Sequence, residues 1–488
     1  MRGWVKIGHL ENDRCSLLKI GPEHPLILSI LEILVQDKRK HMQTNTLKRT
    51  LQPIHLWAIA VGLVISGEYF GWNYGWGVSG TIGFLIATLV ITVMYVCFIF
   101  SYTELTTSIP HAGGAFAYAY RALGPLGGLI AGYATLVDFL LATPAIAFAL
   151  GSYLHFLIPA VPVLGSALFF NVVFILLNIS GVKESAQFSV FITVLAVAEL
   201  LLFMGIIGPH FKTANFLHNP MPFGWQGIFA ALPFAVWFYL AIEGVAMVAE
   251  EVKNPVKNIP RGYISGLVTL ALLALGVMIL TGGVTDWRRL SNMDYPLPEA
   301  IAVVLGKNSG LTKLFSSIGL FGLIASFHGT ILASSRQVFA MARSGYLPRG
   351  LSAVHHRFKT PHWAIVASGV VSFAALFTGT TDDIIKLSVM GAVLMYIMSM
   401  ISLFILRRRE PVLARPFRAP FYPLFPAIAL LLSVVCLVAI IYYNRLLSCI
   451  FFSGMILAIL LLFVTGRHRM KITDDVLLEE RMVLTFPN

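Results

Sequence analysis

The sequence has few charged residues for its length. Only 12% of its 488 residues are Asp, Glu, Lys or Arg, whereas an ordinary soluble domain carries about 25%. With 57% hydrophobic residues and a mean hydropathy of +0.80, a soluble fold could not bury its apolar surface. This composition excludes a disordered protein and a typical soluble enzyme, and it predicts an integral membrane protein.

Cysteine and net charge narrow the class further. Cys97, Cys436 and Cys449 lie in apolar segments and Cys15 lies near the N-terminus, with no metal-ligand spacing among the four. We therefore interpret them as small hydrophobic residues, which excludes a secreted disulfide scaffold. The formal net charge of +12 comes from basic residues between apolar runs, which indicates membrane orientation rather than nucleic-acid binding.

Long apolar runs are abundant. Twelve runs approach the roughly 20 residues that a helix needs to cross about 30 Å of hydrocarbon. All are predicted to be helical, because an open strand cannot satisfy its backbone in lipid. The predicted spans lie near 54–77, 81–108, 124–155, 162–180, 186–208, 225–249, 262–284, 311–341, 361–380, 384–406, 424–443 and 446–466.

Lysine and arginine are distributed unevenly between the two sides of these spans. Twelve spans place both termini on one side. Of the 35 Lys and Arg residues, 27 fall on that side and seven on the other, while Arg336 lies inside a span. The positive-inside rule therefore predicts a multi-pass cell membrane protein with both termini in the cytoplasm.

Two spans are interrupted by glycine beside a glutamate. The first span contains Ser66–Tyr69 (Ser-Gly-Glu-Tyr), and the sixth contains Trp237–Gly244, which ends in Glu-Gly. Transporters place substrate near the bilayer midplane, where helices at corresponding positions of two halves are broken. The pair predicts two inverted five-helix repeats with the substrate between the breaks.

The predicted organisation of the chain follows from these repeats. The stretch Pro25–Val35 is apolar but too short to span, and Met42 is an alternative start. The predicted segments are a cytoplasmic N-terminal tail at 1–52, a first repeat with spans 1–5 at 53–208, an extracellular loop at 209–224, a second repeat with spans 6–10 at 225–406, spans 11–12 at 407–466 and a cytoplasmic C-terminal tail at 467–488.

Three acids lie at predicted mid-membrane positions, namely Glu68, Asp138 and Glu243. A buried carboxylate is costly without a partner, and no basic residue lies deep in the first ten spans to pair with them. The missing charge would therefore come with the ligand. Because Glu68 would also repel a substrate carboxylate at the break, a small amine is favoured, with Trp237 and Tyr239 as cation–π partners.

Other polar residues extend this candidate site. Ser326 and His328 in the eighth span could bond a substrate hydroxyl, and Glu104 and Glu250–Glu251 are predicted to make gate or packing contacts with basic residues such as Arg121 and Lys253. The predicted substrate-binding residues are Ser66, Gly67, Glu68, Tyr69, Asp138, Trp237, Tyr239, Glu243, Ser326 and His328.

Three motifs resemble those of the amino acid–polyamine–organocation permeases. They are Glu104–Phe116 after the second span, Ala249–Arg261 after the sixth and Ser335–Pro348 after the eighth. The resemblance covers roughly residues 44–466. It implies an all-helical fold with two inverted five-helix repeats and two C-terminal helices, a site between spans 1, 3, 6 and 8, and alternating access.

Within that superfamily the chain most resembles ethanolamine permeases. Ile65–Trp72, Phe238–Ala246 and Ser326–Gly329 are similar to their signatures. The chain departs from the pattern at Asp138, where that group is expected to carry glutamate. Some relatives couple transport through a lysine in the fifth span, whereas this span contains Glu199 and no lysine.

The leading hypothesis is a secondary transporter that moves ethanolamine across the cell membrane. An amino-acid permease or exchanger of the same fold is the second. An intramembrane serine hydrolase, based on Gly77–Gly80 (Gly-Val-Ser-Gly), is the third and has no base near its serine. No cofactor, nucleic acid or ATP-binding motif is predicted; the expected partners are a small amine or amino acid and the lipid bilayer. The coupling ion, H+ or Na+, and the oligomeric state stay open.

Overall fold

A computed structural model of the chain describes residues 5–11, 14–20, 49–181, 186–358 and 360–465. The chain divides into two compact units, Met1–Arg49 and Thr50–Asn488. The apolar stretch 25–35, the alternative start at Met42 and the C-terminal tail lie outside the described residues.

The first unit contains a β-hairpin within the segment predicted to be a cytoplasmic tail. Strand β1 (Val5–Glu11) pairs antiparallel with β2 (Arg14–Ile20), so that Val5 is opposite Ile20. The all-helical expectation therefore applies to the second unit alone.

In the described residues of the second unit the regular elements are helices, and Leu51 and Val252 form an isolated β-bridge. Its four 3₁₀ helices are Gly208–His210, Ile242–Glu251, Trp287–Arg289 and Arg349–Ser352. Its α-helices are α1 Pro53–Val64, α2 Ser66–Tyr69, α3 Tyr74–Ser108, α4 Ala115–Leu157, α5 Val163–Ile179, α6 Ala186–Ile207, α7 Thr213–Phe216, α8 Gly224–Trp237, α9 Pro255–Val284, α10 Pro296–Leu305, α11 Gly310–Arg343, α12 His362–Thr378, α13 Thr381–Arg409, α14 Leu424–Tyr443 and α15 Arg445–Val464.

Two long helices bend sharply at glycine. The backbone of α3 is non-helical at Gly80 (φ 71°, ψ −177°), and that of α4 at Gly124 (φ 77°, ψ −164°). Only glycine adopts this region without strain. The bends lie at the predicted starts of the second and third spans, so residues 74–79 continue the first span.

Large apolar side chains cover the outside of the helical unit. Leu272, Phe169 and Val370 expose 68%, 63% and 63% of their surface. Lipid tails solvate such a surface, whereas water does not. Within the described ranges, nine helices are long and apolar enough to cross a membrane. The chain is therefore a multi-pass membrane protein.

Glu104 near the end of α3 contacts basic residues, as predicted, but they are Arg407 and Arg415 and not Arg121 or Lys253. Its carboxylate is 1% exposed and accepts hydrogen bonds from Arg407 Nε (2.8 Å) and Nη2 (2.5 Å). Arg415 Nε lies 3.4 Å away, and the Ala419 backbone N–H donates at 2.7 Å. These partners come from the end of α13 and the loop that follows it, about 300 residues later.

The other predicted gate residues make separate contacts. Glu251 faces Arg336 at 3.6 Å, although Lys253 was the basic residue expected nearby. Arg121 pairs with Glu410 at 2.7 Å. The side chain of Glu250 lies outside what the structure describes.

Candidate substrate site

The first helix break lies where α1 gives way to the single turn of α2. After α2, Phe70 is extended and Gly71 has φ +91°. A Cβ on Gly67 would lie 2.5 Å from the Trp237 carbonyl oxygen. A Cβ on Gly71 would lie 2.4 Å from Trp237 Nε1. Both glycines therefore allow the two broken helices to touch, in addition to any conformational freedom they supply.

The second break follows α8 and is equally irregular. The helix ends at Trp237, a turn follows, and Ala241 has the left-handed φ of +78° before the 3₁₀ helix Ile242–Glu251 begins. A left-handed conformation in a residue other than glycine is strained and clusters at functional sites. The two breaks predicted from glycine and glutamate are thus present and in contact.

A small cavity of about 10 Å³ lies between the breaks, which is room for about one water molecule. Its polar lining comes from Ser66 and Thr330, and the remainder is apolar apart from the indole of Trp237. The lining residues are Leu63, Val64, Ser66, Ala142, Ile146, Trp237, Leu240, Ala241 and Thr330.

Hydroxyl groups connect the first break to α11 beside this cavity. Ser326 Oγ donates to the Leu63 carbonyl at 2.6 Å. The Ser66 hydroxyl lies 2.8 Å from Ser326 Oγ and can therefore donate to it. Ser66 and Ser326 thus lie together, as predicted for residues of one site.

Glu68 lies beside the cavity but does not line it. Its side chain is fully buried, and neither carboxyl oxygen has a hydrogen-bond partner among the described residues. Its backbone carbonyl accepts a hydrogen bond from Trp72 Nε1 at 3.1 Å. An ionised carboxylate in this position is costly, so this group is neutral or binds a cation.

Tyr69 points toward the fifth predicted span. Its hydroxyl donates to Glu199 Oε2 at 2.6 Å, and Tyr153 donates to the Tyr69 carbonyl at 3.1 Å. This contact gives Glu199 a packing partner that sequence order did not suggest.

Asp138 and Glu243 form a buried carboxyl pair. The two side chains lie close enough for their charges to be coupled, and neither lines the cavity. Ser388 lies 3.4 Å from Asp138 Oδ1, and the Tyr396 hydroxyl lies 3.3 Å from Glu243 Oε2. Sequence reasoning missed Ser388 and Tyr396, because nothing in the apolar run of α13 distinguishes the face that meets these acids.

His328 faces away from the breaks. Its Nδ1 accepts from Asn178 Nδ2 at 3.1 Å, and Asn178 belongs to α5. Residues two apart on a helix point in different directions, which separates His328 from Ser326. The structure thus brings Ser326 to the first break and His328 to a helix interface.

The predicted aromatic residues form a wall around the breaks. Trp237 Nε1 donates to the Phe70 carbonyl at 3.0 Å. Phe238 stacks on Trp72, with the ring centroids 5.7 Å apart. The Tyr239 hydroxyl lies 2.6 Å from Thr92 Oγ1. Trp237 is the aromatic residue of this set that lines the cavity.

Known proteins match most of this chain. Residues 51–465 match the family described as "Amino acid permease". An uncharacterized transporter of Rhizobium meliloti is 32% identical over 79% of this chain and 85% of its own length. The methylthioribose transporter of Bacillus subtilis is 30% identical over 79% and 87%. A branched-chain amino acid permease of the same organism is 25% identical over 88% and 96%.

Proposed function

The chain belongs to the amino acid permease family, and on that premise we propose that it transports an amino acid with an apolar side chain. At the level of the family it is a transporter of amino acids or related small solutes and not an enzyme. The environment of Ser79, the serine of the hydrolase hypothesis, agrees with this result. Ser79 Oγ donates to the Gly75 carbonyl at 2.6 Å within α3 and not to a catalytic base.

The proposed architecture is the one that the repeats predict. Twelve spans comprise inverted repeats at 53–208 and 225–406, followed by two helices within 407–466, with both termini in the cytoplasm. The breaks in the first and sixth spans support this architecture, because they lie at corresponding positions and contact each other. Alternating access then requires the repeats to move around the cavity between them.

The lining of the cavity is the observation that carries the choice of substrate. Ala142 and Ile146 of α4 and Leu240 of the second break present an apolar surface, while Ser66 and Thr330 supply hydroxyl groups. Burial of an apolar substrate side chain against this apolar surface is favourable. The ammonium and carboxylate would bond to the hydroxyls and to backbone groups at the breaks. A relative named as a branched-chain amino acid permease supports this class.

Ethanolamine is the second candidate, and Glu68 is the observation that favours it. This buried carboxyl has no partner among the described residues, which suits the ammonium of a small amine. Glu68 can repel a substrate carboxylate only if it faces the substrate, but Glu68 does not line the cavity. The repulsion of a substrate carboxylate therefore loses its basis, and the amino acid becomes the leading candidate.

Exchange in proteoliposomes tests this proposal. The full chain is reconstituted with unlabelled leucine inside, and uptake of labelled leucine, alanine or ethanolamine is measured from outside. We expect saturable leucine exchange that unlabelled isoleucine and valine inhibit and ethanolamine does not. Ethanolamine exchange that leucine fails to inhibit, together with its loss in Glu68→Gln, would establish the second candidate instead.

A cavity-filling substitution tests the location of the site. Ala142→Leu adds three carbon atoms beside Ile146 and should reduce exchange of leucine about tenfold or more while alanine exchange falls less. Ala427→Leu is the matched control, because Ala427 is an exposed residue of α14. This variant should transport both amino acids normally. Equal losses of both substrates in Ala142→Leu, with correct insertion, would place the site elsewhere.

A further inference from the structure

Asp138 and Glu243 are two buried acids that do not line the cavity. Asp138 is fully buried and Glu243 is 2% exposed. Asp138 Oδ2 and Glu243 Oε1 have no donor among the described groups, although the charges of the two side chains are coupled. Two ionised carboxylates this deeply buried, with coupled charges and no donor at one oxygen of each, would repel strongly, so at least one of the two acids is protonated.

The surroundings of the pair favour a proton over a metal cation. The side chains that face it are hydroxyl groups: Ser388 and Tyr396 of α13, with Tyr95 of α3 bonded to Tyr396 at 2.8 Å. Hard cations take about six oxygen ligands, and among the described residues no group of three or more acidic, histidine or cysteine side chains is placed to hold a metal. A shared proton needs only the two carboxyl groups.

The titratable neighbours come from every element packed around the pair. They are tyrosines: Tyr95 and Tyr102 of α3, Tyr396 of α13, and Tyr263 of α9, whose hydroxyl lies 3.4 Å from the Glu243 backbone carbonyl. None carries a positive charge that could replace the proton. Loss of the proton would therefore leave two negative charges in apolar surroundings.

The two acids differ in how firmly the fold holds them. Asp138 lies on α4, where α13 packs so closely that a Cβ on Gly391 would lie 2.8 Å from the Asp138 backbone nitrogen. Glu243 lies on the 3₁₀ helix just after the strained Ala241. Repulsion between the acids would therefore displace the segment of Glu243 rather than α4.

That segment also contacts the cavity. Leu240 and Ala241 line it, and a Cβ on Gly244 would lie 2.7 Å from Cδ1 of Leu63, another lining residue. A movement of residues 240–244 away from α4 would therefore change the shape of the cavity. Proton binding and substrate binding are thus joined through one short, irregular segment.

We propose that Asp138 and Glu243 form the proton site that couples this permease to a proton gradient. One proton binds between the carboxyl groups from the outer side, closes the Glu243 segment against α4 with substrate bound, and leaves to the cytoplasm after the substrate. This proposal rests on the proposed function, since it assumes that the cavity between the breaks receives the solute.

Proteoliposomes with a pH-sensitive dye inside test the coupling. Leucine added outside should drive proton entry in the wild-type protein. Glu243→Gln keeps the shape of the side chain but cannot titrate, so proton entry should fall about tenfold or more while leucine exchange stays within about threefold. Glu199→Gln is the matched control, because Glu199 is also a buried acid bonded to a tyrosine. It should retain proton entry.

Each other outcome overturns the proposal in its own way. Normal proton entry in Glu243→Gln, or its loss only in Glu199→Gln, would show that the pair is not the coupling site. Loss of leucine exchange together with proton entry would place a substrate ammonium at the pair. Uptake driven by a sodium gradient at equal pH would identify sodium as the coupling ion.

A measurement without substrate keeps the proposal separate from the choice of solute. Infrared spectra of the full chain should show a protonated carboxyl band at neutral pH that is weaker in the double variant Asp138→Asn/Glu243→Gln. If the wild-type protein does not transport leucine but shows this band, the proposed substrate is wrong and the proposed proton site stands. Identical spectra of the two proteins would overturn the proton site whatever the solute.

Discussion

Glu104 lies in a buried ion-pair cluster, and we expect this cluster to contribute strongly to the stability of the fold. Its carboxylate is 1% exposed and is bound by Arg407, Arg415 and the Ala419 amide. Glu104→Gln leaves the two arginines without their counter-charge, and removal of one partner of a buried pair costs about 3–5 kcal/mol. We expect a clearly lower midpoint of thermal unfolding in detergent.

Glu410→Gln is the control for this prediction. The Glu410–Arg121 pair is closer to solvent, with side chains 33% and 18% exposed, and such pairs contribute about 1 kcal/mol or less. A stability loss in Glu410→Gln as large as that in Glu104→Gln would contradict the argument from burial.

At the scale of single residues, the sequence showed which side chains carry unusual chemistry, but it did not show which way those side chains point. The buried acids were expected from their positions in apolar runs. The direction of each side chain was not, because residue spacing does not show which face of a helix meets which neighbour. Glu68 therefore lies beside the cavity, and His328 bonds to Asn178 instead of facing Ser326.

The contact between the two broken helices depends on Gly67. A Cβ there would lie 2.5 Å from the Trp237 carbonyl, and backbone cannot move as a flexible side chain does. Gly67→Ala should therefore reduce exchange about tenfold or more by forcing the breaks apart. Exchange is measured at equal amounts of inserted protein.

Gly205→Ala provides the comparison within a helix. A Cβ on Gly205 of α6 meets nothing within 4 Å, and alanine favours a helix over glycine by up to about 1 kcal/mol. Transport should stay normal and stability should rise slightly. Full activity in Gly67→Ala would show that the breaks need not touch.

A loop outside the spans links several elements through Asp294. Its carboxylate accepts hydrogen bonds from Tyr74 at 2.7 Å and Thr381 at 3.0 Å, and Ser152 lies 3.5 Å away. These partners belong to α3, α13 and α4. The loop therefore joins the first span to α4, which carries Asp138, and to α13, whose hydroxyl groups contact both acids of the pair.

This linkage should weaken as pH rises. Burial raises the pKa of Asp294 above its ordinary value near 3.9, although the hydroxyl partners act in the opposite direction. A folded-state pKa that is raised favours folding at low pH, and this contribution is lost as pH increases through the raised value. Relative to Asp294→Asn, the wild-type unfolding temperature should fall from about pH 4 upward. A difference that does not change with pH would contradict this assignment.

Orientation is a property of the whole molecule and can be tested by labelling. In a background with all four cysteines replaced by serine, an impermeant maleimide should label Lys307→Cys in intact cells. It should label Arg349→Cys only after permeabilisation, because the positive-inside rule places Arg349 in the cytoplasm. Both positions are exposed. The reverse pattern would invert the predicted topology.

The sequence by itself determined the membrane class, the positions of the helices and the two breaks. These features depend on local properties: the length of an apolar run, the conformational freedom of glycine and the cost of a buried acid. Among the described residues, nine helices are long and apolar enough to cross a membrane, and each overlaps a predicted span because a helix satisfies its own backbone. The total of twelve spans stays a prediction.

Only the tertiary structure decided which of these groups meet. It paired Glu104 with Arg407, 303 residues later, and joined Asp138 to Glu243 away from the cavity. It also left Glu68 outside the cavity lining, which moved the proposed substrate from an amine to an amino acid. Such contacts depend on how whole helix faces pack, and no spacing within one segment contains that information.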